Sequence, residues 1–192
     1  MKKIIAAFLA VSIFALVLSA CATPPTEEMQ KAHDAVIQAE SDSEAVAYAG
    51  NALIRARDAL TRMESEAEAK RYDAAKNYAA EAISNAERAI ADGKSGAVRA
   101  KDEAASLLNS LAGSLAETIS AVNNAKAQNL PLDFDSLVRD INLAQKTLDD
   151  AWQSFYSGNY LDAAGKAQNV RALLADINGR LTYEVQAASR KQ

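Results

Sequence analysis

From about position 26 onward, apolar side chains recur at steps of three and four residues, with no stretch of strict alternation. That spacing predicts amphipathic helices and no strands. A first helix runs to about Glu40 with Ala32, Ala35, Val36 and Ala39 on one face and Thr23 or Thr26 placed to cap it. Ser41-Asp42-Ser43-Glu44 fits a capping box, Ser41 accepting from the backbone while Glu44 reaches back. It opens a second helix to about Ala69, whose inward residues include Ala45, Ala49, Leu53, Ala56, Leu60 and Met63. A third begins near Tyr72 and ends before Asp92-Gly93-Lys94-Ser95-Gly96, the clearest break signal in the chain.

A fourth helix spans 97–127, with Leu108, Leu111, Leu115, Ile119 and Val122 forming the strongest aliphatic stripe. Gln128-Asn129-Leu130-Pro131 stops it, and Asp133 or Asp135 caps a fifth carrying Leu137, Ile141, Leu148, Ala151, Trp152 and Phe155. Ser157-Gly158-Asn159 turns the chain into a sixth, with Ala163, Ala167, Val170, Leu174, Ile177 and Leu181 inward. The expected fold is all-α, an elongated bundle of about six antiparallel helices. Its halves would span 27–92 and 97–192, as two three-helix groups or one continuous bundle.

At an offset of about 88 residues, Tyr72, Ala75, Ala79 and Ala82 meet Tyr160, Ala163, Ala167 and Val170. Leu53, Ala56 and Leu60 meet Ile141, Ala144 and Leu148 at the same offset. Either the chain is an internal duplication, or alanine-rich helices align this well without one. Alanine is roughly a fifth of the sequence, well above the usual share. As the best helix former it reinforces the helical reading, and as a small side chain it lets helices pack closely while burying little area each.

The formal net charge is −4, with both signs dispersed along the helices. A nucleic-acid partner demands a basic stripe and an anionic bilayer demands basic clusters; neither is present. The charges read as a solvated helical surface.

Ahead of the helices, Lys2 and Lys3 precede an apolar run from Ile4 to Leu18, the charged and hydrophobic regions of an export signal. The run is too short for the roughly 20 residues of a membrane span. It closes in Leu18-Ser19-Ala20-Cys21, and Cys21 is the only cysteine. This resembles the lipobox of bacterial lipoproteins, which implies a signal peptide over 1–20, cleavage before Cys21 and acylation of its sulfur and new N-terminus. An ordinary secretory signal ending at Ala20 is the alternative. Several acyl chains, at about 0.8 kcal/mol per buried methylene, anchor firmly where one holds marginally. Residues 21–26, with Pro24 and Pro25, form the expected lipidated tether. Ala22 stands where lipoprotein sorting places an inner-membrane aspartate, which implies the outer membrane, facing the periplasm.

Gly158-Asn159-Tyr160-Leu161-Asp162-Ala163 resembles the mid-repeat turn of tetratricopeptide repeats, as does Arg71-Tyr72-Asp73-Ala74-Ala75 without the glycine. The rest of that signature is missing. Over residues 30–92, Ala32, Ala35 and Ala39, then Tyr48-Ala49, Leu53, Ala56 and Leu60, then Tyr72, Ala75, Ala79, Ala82 and Ala86 resemble an uncharacterised family of alanine-rich bacterial lipoproteins. Some of its members precede a peptidoglycan-binding OmpA-like domain. Gly50-Asn51 departs from the Pro-Glu common there. The resemblance implies location and fold, and no chemistry.

Catalytic patterns are scarce. His33 is the only histidine, so no His-dependent triad with a spare ligand or supporting histidine is available, and an acylated Cys21 excludes cysteine-based zinc sites and haem attachment. No Glu-x-x-His pair suits a carboxylate-bridged metal, and Glu64-Ser65-Glu66-Ala67-Glu68 and Asp149-Asp150 read as solvated charge. Gly93-Lys94-Ser95-Gly96 lacks the upstream glycine and strand of a phosphate loop. Aromatics gather instead at the last turn, where Trp152, Tyr156 and Tyr160 are the candidate partner contact, with filling of the bundle end as the alternative.

The expectation is therefore a non-enzymatic, lipid-anchored structural or adaptor element with an envelope protein partner and no cofactor, metal or nucleic acid. The alternative is a periplasmic binding module holding a lipid, peptide or glycan fragment in a groove between the helical halves.

Overall fold

The computed structural model describes residues 23–190, and every regular element among them is an α-helix. In chain order these are α1 (Thr26–Ser41), α2 (Ser43–Tyr48), α3 (Gly50–Glu68), α4 (Tyr72–Ala127), α5 (Phe134–Tyr156) and α6 (Tyr160–Ser189). The all-α expectation holds, but the six helices are not the six read from the sequence.

Two boundaries differ, each for a local reason. The second expected helix is divided at Ala49, whose φ of −125° and ψ of 30° leave the helical range. The third and fourth are one helix, α4, which runs through the glycine cluster at 93–96 without a break. Gly93 is buried, and a Cβ placed on it would lie 2.5 Å from the backbone nitrogen of Ala45 and 2.7 Å from its Cα. The glycine is thus a packing residue: its missing side chain lets the bent α2 segment rest its backbone on α4. A helix-interior glycine costs roughly 1 kcal/mol against alanine, and the close approach accounts for its presence.

The α2 cap also sits one residue later than the capping box placed it. Asp42 Oδ1 accepts from the Ala45 N–H at 2.8 Å, whereas the Ser41 hydroxyl donates back to the Ile37 carbonyl. A carboxylate at the helix start also suits the dipole. Asp133, of the two candidates, caps α5 by accepting from Ser136 N–H at 3.0 Å.

The three hairpin turns share one device. Lys70, Asn129 and Gly158 adopt left-handed φ of 59°, 54° and 81°, and the following N–H closes on a carbonyl five residues back. These are Arg71 to Glu66, Leu130 to Ala125 and Asn159 to Ser154, the Schellman arrangement that satisfies the orphan carbonyls of a helix end.

The described residues divide into two compact units, with the boundary between Lys94 and Ser95. In the first, Glu40–Arg57 and His33–Glu64 pairs run α1 antiparallel to α3, and a Glu28–Lys76 pair lays α1 along the start of α4. Its core residues are all alanine except Val36, Leu53 and Met63. Pro25, expected in the extended tether, is buried, and its carbonyl accepts from Met29 N–H, so the folded body begins there.

In the second unit, α5 and α6 form an antiparallel hairpin, and the C-terminal part of α4 completes the bundle. Leu108, Leu111, Leu115, Leu148, Val170 and Leu174 fill one core cluster, while Val122, Leu137, Ile177 and Leu181 fill another. No helix among the described residues is long and apolar enough to cross a membrane.

Candidate functional site

The turn joining α5 to α6 concentrates the aromatic side chains of the second unit. Trp152 and Tyr156 stack with ring centroids 5.6 Å apart, and Phe155 meets the Trp152 edge at 5.5 Å and the Tyr160 ring at 5.4 Å. Spacing of four residues puts Trp152 and Tyr156 on one side of α5, so the exposed ring rests on the half-buried one. Trp152 and Phe155 pack on the leucine-rich core, and Tyr160 is half-buried. Tyr156 is 79% exposed, and Leu161, one residue into the next helix, is 56% exposed. Of the three candidate contact residues, Tyr156 is offered to solvent, Trp152 stacks against it, and Tyr160 meets Phe155 instead. Cys21 lies outside the described residues.

Beneath this cluster is a polar group that the sequence reading did not single out. Ser154 is 7% exposed, and its hydroxyl lies 3.0 Å from the Asp150 carbonyl and 2.6 Å from Asp162 Oδ2. Lys166 Nζ donates to Ser154 Oγ at 2.7 Å and to Asp162 at 2.6 Å. The hydrogen bond from Lys166, followed by that from Ser154, holds the Asp162 carboxyl below its usual range. Asp162 and Lys166 stand at the four-residue spacing of a helical ion pair, a legible signal; that Ser154 meets them depends on the turn.

A serine beside a lysine invites comparison with acyl-transfer dyads, where the amine acts as a base on an accessible hydroxyl. Here the amine is engaged by a carboxylate and the serine is buried, so the geometry clasps α5 to α6. Elsewhere in the unit, Arg180 pairs with Asp140 and lies 3.0 Å from Asp176, joining the same two helices nearer their other ends. His33 meets Glu64 Oε1 at 3.3 Å on the first unit's surface. Among the described residues, no three His, Cys, Asp or Glu side chains gather to hold a metal.

At the far end of the second unit from the aromatic turn, a groove of about 500 Å³ opens between the ends of α4 and α6. Ala121, Ala125, Leu130, Leu181 and Val185 supply its apolar surface, and Val185 is half exposed. The rest of its lining is amide and hydroxyl side chains, with no charged residue.

Comparison with known proteins adds one match. Residues 27–106 are similar to a domain of unknown function, DUF4398, a segment that starts with α1 and ends within α4. No curated protein and no solved structure matches the chain. The matched segment contains the alanine core and Gly93 but neither the aromatic turn nor the groove.

Proposed function

We propose that the chain is a membrane-anchored, non-catalytic envelope lipoprotein, held by acyl chains on Cys21, that acts as a structural or adaptor element toward an envelope protein. Partner contact centres on Tyr156, backed by Trp152, with Tyr160 in the same aromatic cluster. The observation carrying this reading is the exposure of Tyr156 on an aromatic stack whose other members pack inward. Large rings at 5–6 Å spacing form a firm, amphipathic surface at low entropic cost, the composition favoured at contact hot spots. Cys21 lies four residues before the buried Pro25, about 14 Å at full extension. Acylation there keeps the first unit close to the bilayer.

In-cell photo-crosslinking from position 156 of the lipidated protein tests the adaptor role. One dominant envelope partner, lost on Trp152→Ala without loss of helicity, is the expected result. Only scattered abundant neighbours would sink it. For the anchor, Cys21→Ser should release the protein from the membrane fraction, and unchanged retention would refute acylation.

A further inference from the structure

We infer that the groove between the ends of α4 and α6 binds an extended, uncharged stretch of polypeptide through its backbone. The inference is independent of the lipid anchor and of the aromatic turn.

Three features point to this class of ligand. The lining carries no Asp, Glu, Lys or Arg, so it supplies no countercharge to an ionic group. Its polar members fall into two rows at four-residue steps: Asn124 and Gln128 on α4, and Asn178 and Thr182, continued by Gln186, on α6. Four residues of helix rise about 6 Å, close to the roughly 6.7 Å over which an extended chain repeats its N–H and C=O on one side. Each row therefore stays nearly in register with a strand-like ligand over one repeat. Amide side chains both donate and accept, as a peptide backbone requires.

The rows are also preorganised. Thr118 is 1% exposed beneath α6, donates its hydroxyl hydrogen to the Ser114 carbonyl at 2.8 Å and accepts from Asn178 Nδ2 at 3.1 Å. This fixes the Asn178 amide, whose Oδ1 also lies 3.4 Å from Thr118 Oγ1, and leaves its second N–H outside that pair. Thr182 donates to the Asn178 backbone carbonyl at 2.8 Å, which leaves its oxygen turned to act as an acceptor. Ala121 and Val185, the exposed apolar members of the lining, receive the alternate side chains of the ligand, with Ala125 and Leu181 buried beneath them. A partner helix satisfies its own backbone and would leave the amides unmatched, and an acyl chain would desolvate them without replacement.

The test selects a phage-displayed library of random linear decapeptides on the full chain in detergent micelles, then measures enriched peptides by fluorescence anisotropy. Uncharged peptides should bind, and Asn124→Leu or Thr182→Val should each weaken them at least tenfold while circular dichroism is unchanged. N-methylation of alternate backbone amides in one register should abolish binding, with the other register tolerant. Three results overturn the inference: no enrichment, binding indifferent to both substitutions and to N-methylation, or binding of N-acetylglucosamine oligomers with no peptide enriched.

Discussion

The two units solve the same packing problem with side chains of different size. At the offset of about 88 residues, Ala75 and Ala79 of α4 correspond to Ala163 and Ala167 of α6, and all four are buried. Over the next four turns the pairs diverge. Ala82, Ala86, Ala89 and Gly93 in the first unit stand where Val170, Leu174, Ile177 and Leu181 stand in the second, again buried throughout. Small residues draw backbones together, to the limit at Gly93, where α2 touches α4 directly. Leu181, at the corresponding position, lines the groove between the ends of α4 and α6. The difference teaches that an alanine seam closes an interface, whereas an aliphatic one stabilises it and leaves room at the end.

The largest effect should come from removing what the second unit relies on. Leu108 is fully buried, and Leu108→Ala is expected to cost about 2–5 kcal/mol through lost transfer energy and a residual cavity. Urea denaturation gives the total, and hydrogen exchange should localise it to 95–190. The first unit has little to truncate, so it breaks by enlargement. Ala79→Leu should overpack a site with no exposure, at about 1–3 kcal/mol. Equal costs for truncating Met63 and Leu108 would weaken the comparison, since Met63 is the largest of the few bulky side chains in the alanine core.

Two glycines of α4 sharpen it further. Gly93→Ala drives a methyl into the Ala45 backbone, and overpacking of about 1–3 kcal/mol should outweigh the gain in helix propensity. Gly113 has nothing within 4 Å of a built Cβ, so Gly113→Ala should stabilise by about 0.5–1 kcal/mol. Thermal unfolding of both variants checks the opposite signs. A stabilising Gly93→Ala would mean that α2 does not rest on α4 in solution.

Periodicity made the helical class and the inward faces legible, because burial of one stripe follows from spacing alone. Ala32, Val36, Ala56, Leu108, Leu148 and Val170 are all buried as the pattern requires. What it could not supply was the meaning of Gly93: the same residue punctuates a turn or admits a neighbouring backbone, and only the fold decides. The Asp42 cap was hidden by Ser41, an equally good capping residue one position earlier. At the candidate surface, the aromatic cluster was visible as composition, but the Ser154–Asp162–Lys166 clasp joins residues across a turn. The two amide rows were not legible, since asparagine and glutamine at helical spacing look like ordinary solvated positions until the fold places both rows along one groove.

That clasp yields the smallest effect and the most specific one. Asp162 has a carboxyl held below its usual range by Lys166 and then Ser154, so its contribution is present above the unfolded value near 3.9. It is lost as pH falls through the lower folded value. Glu27 and Glu66 in the first unit are lowered in the same direction by hydrogen bonds from Lys31 and Arg71. Those pairs lie within one helix or across one turn at the surface, whereas Asp162 reaches a buried serine on the neighbouring helix. Asp162→Asn should therefore lower the melting temperature at pH 7 by more than Glu27→Gln does. The gap from the parent protein should close on acidification below about pH 4, where the parent's own carboxylate takes up a proton. A gap that stays constant to low pH would mean that Asp162 acts through packing, and the clasp would then be a matter of shape and not of charge.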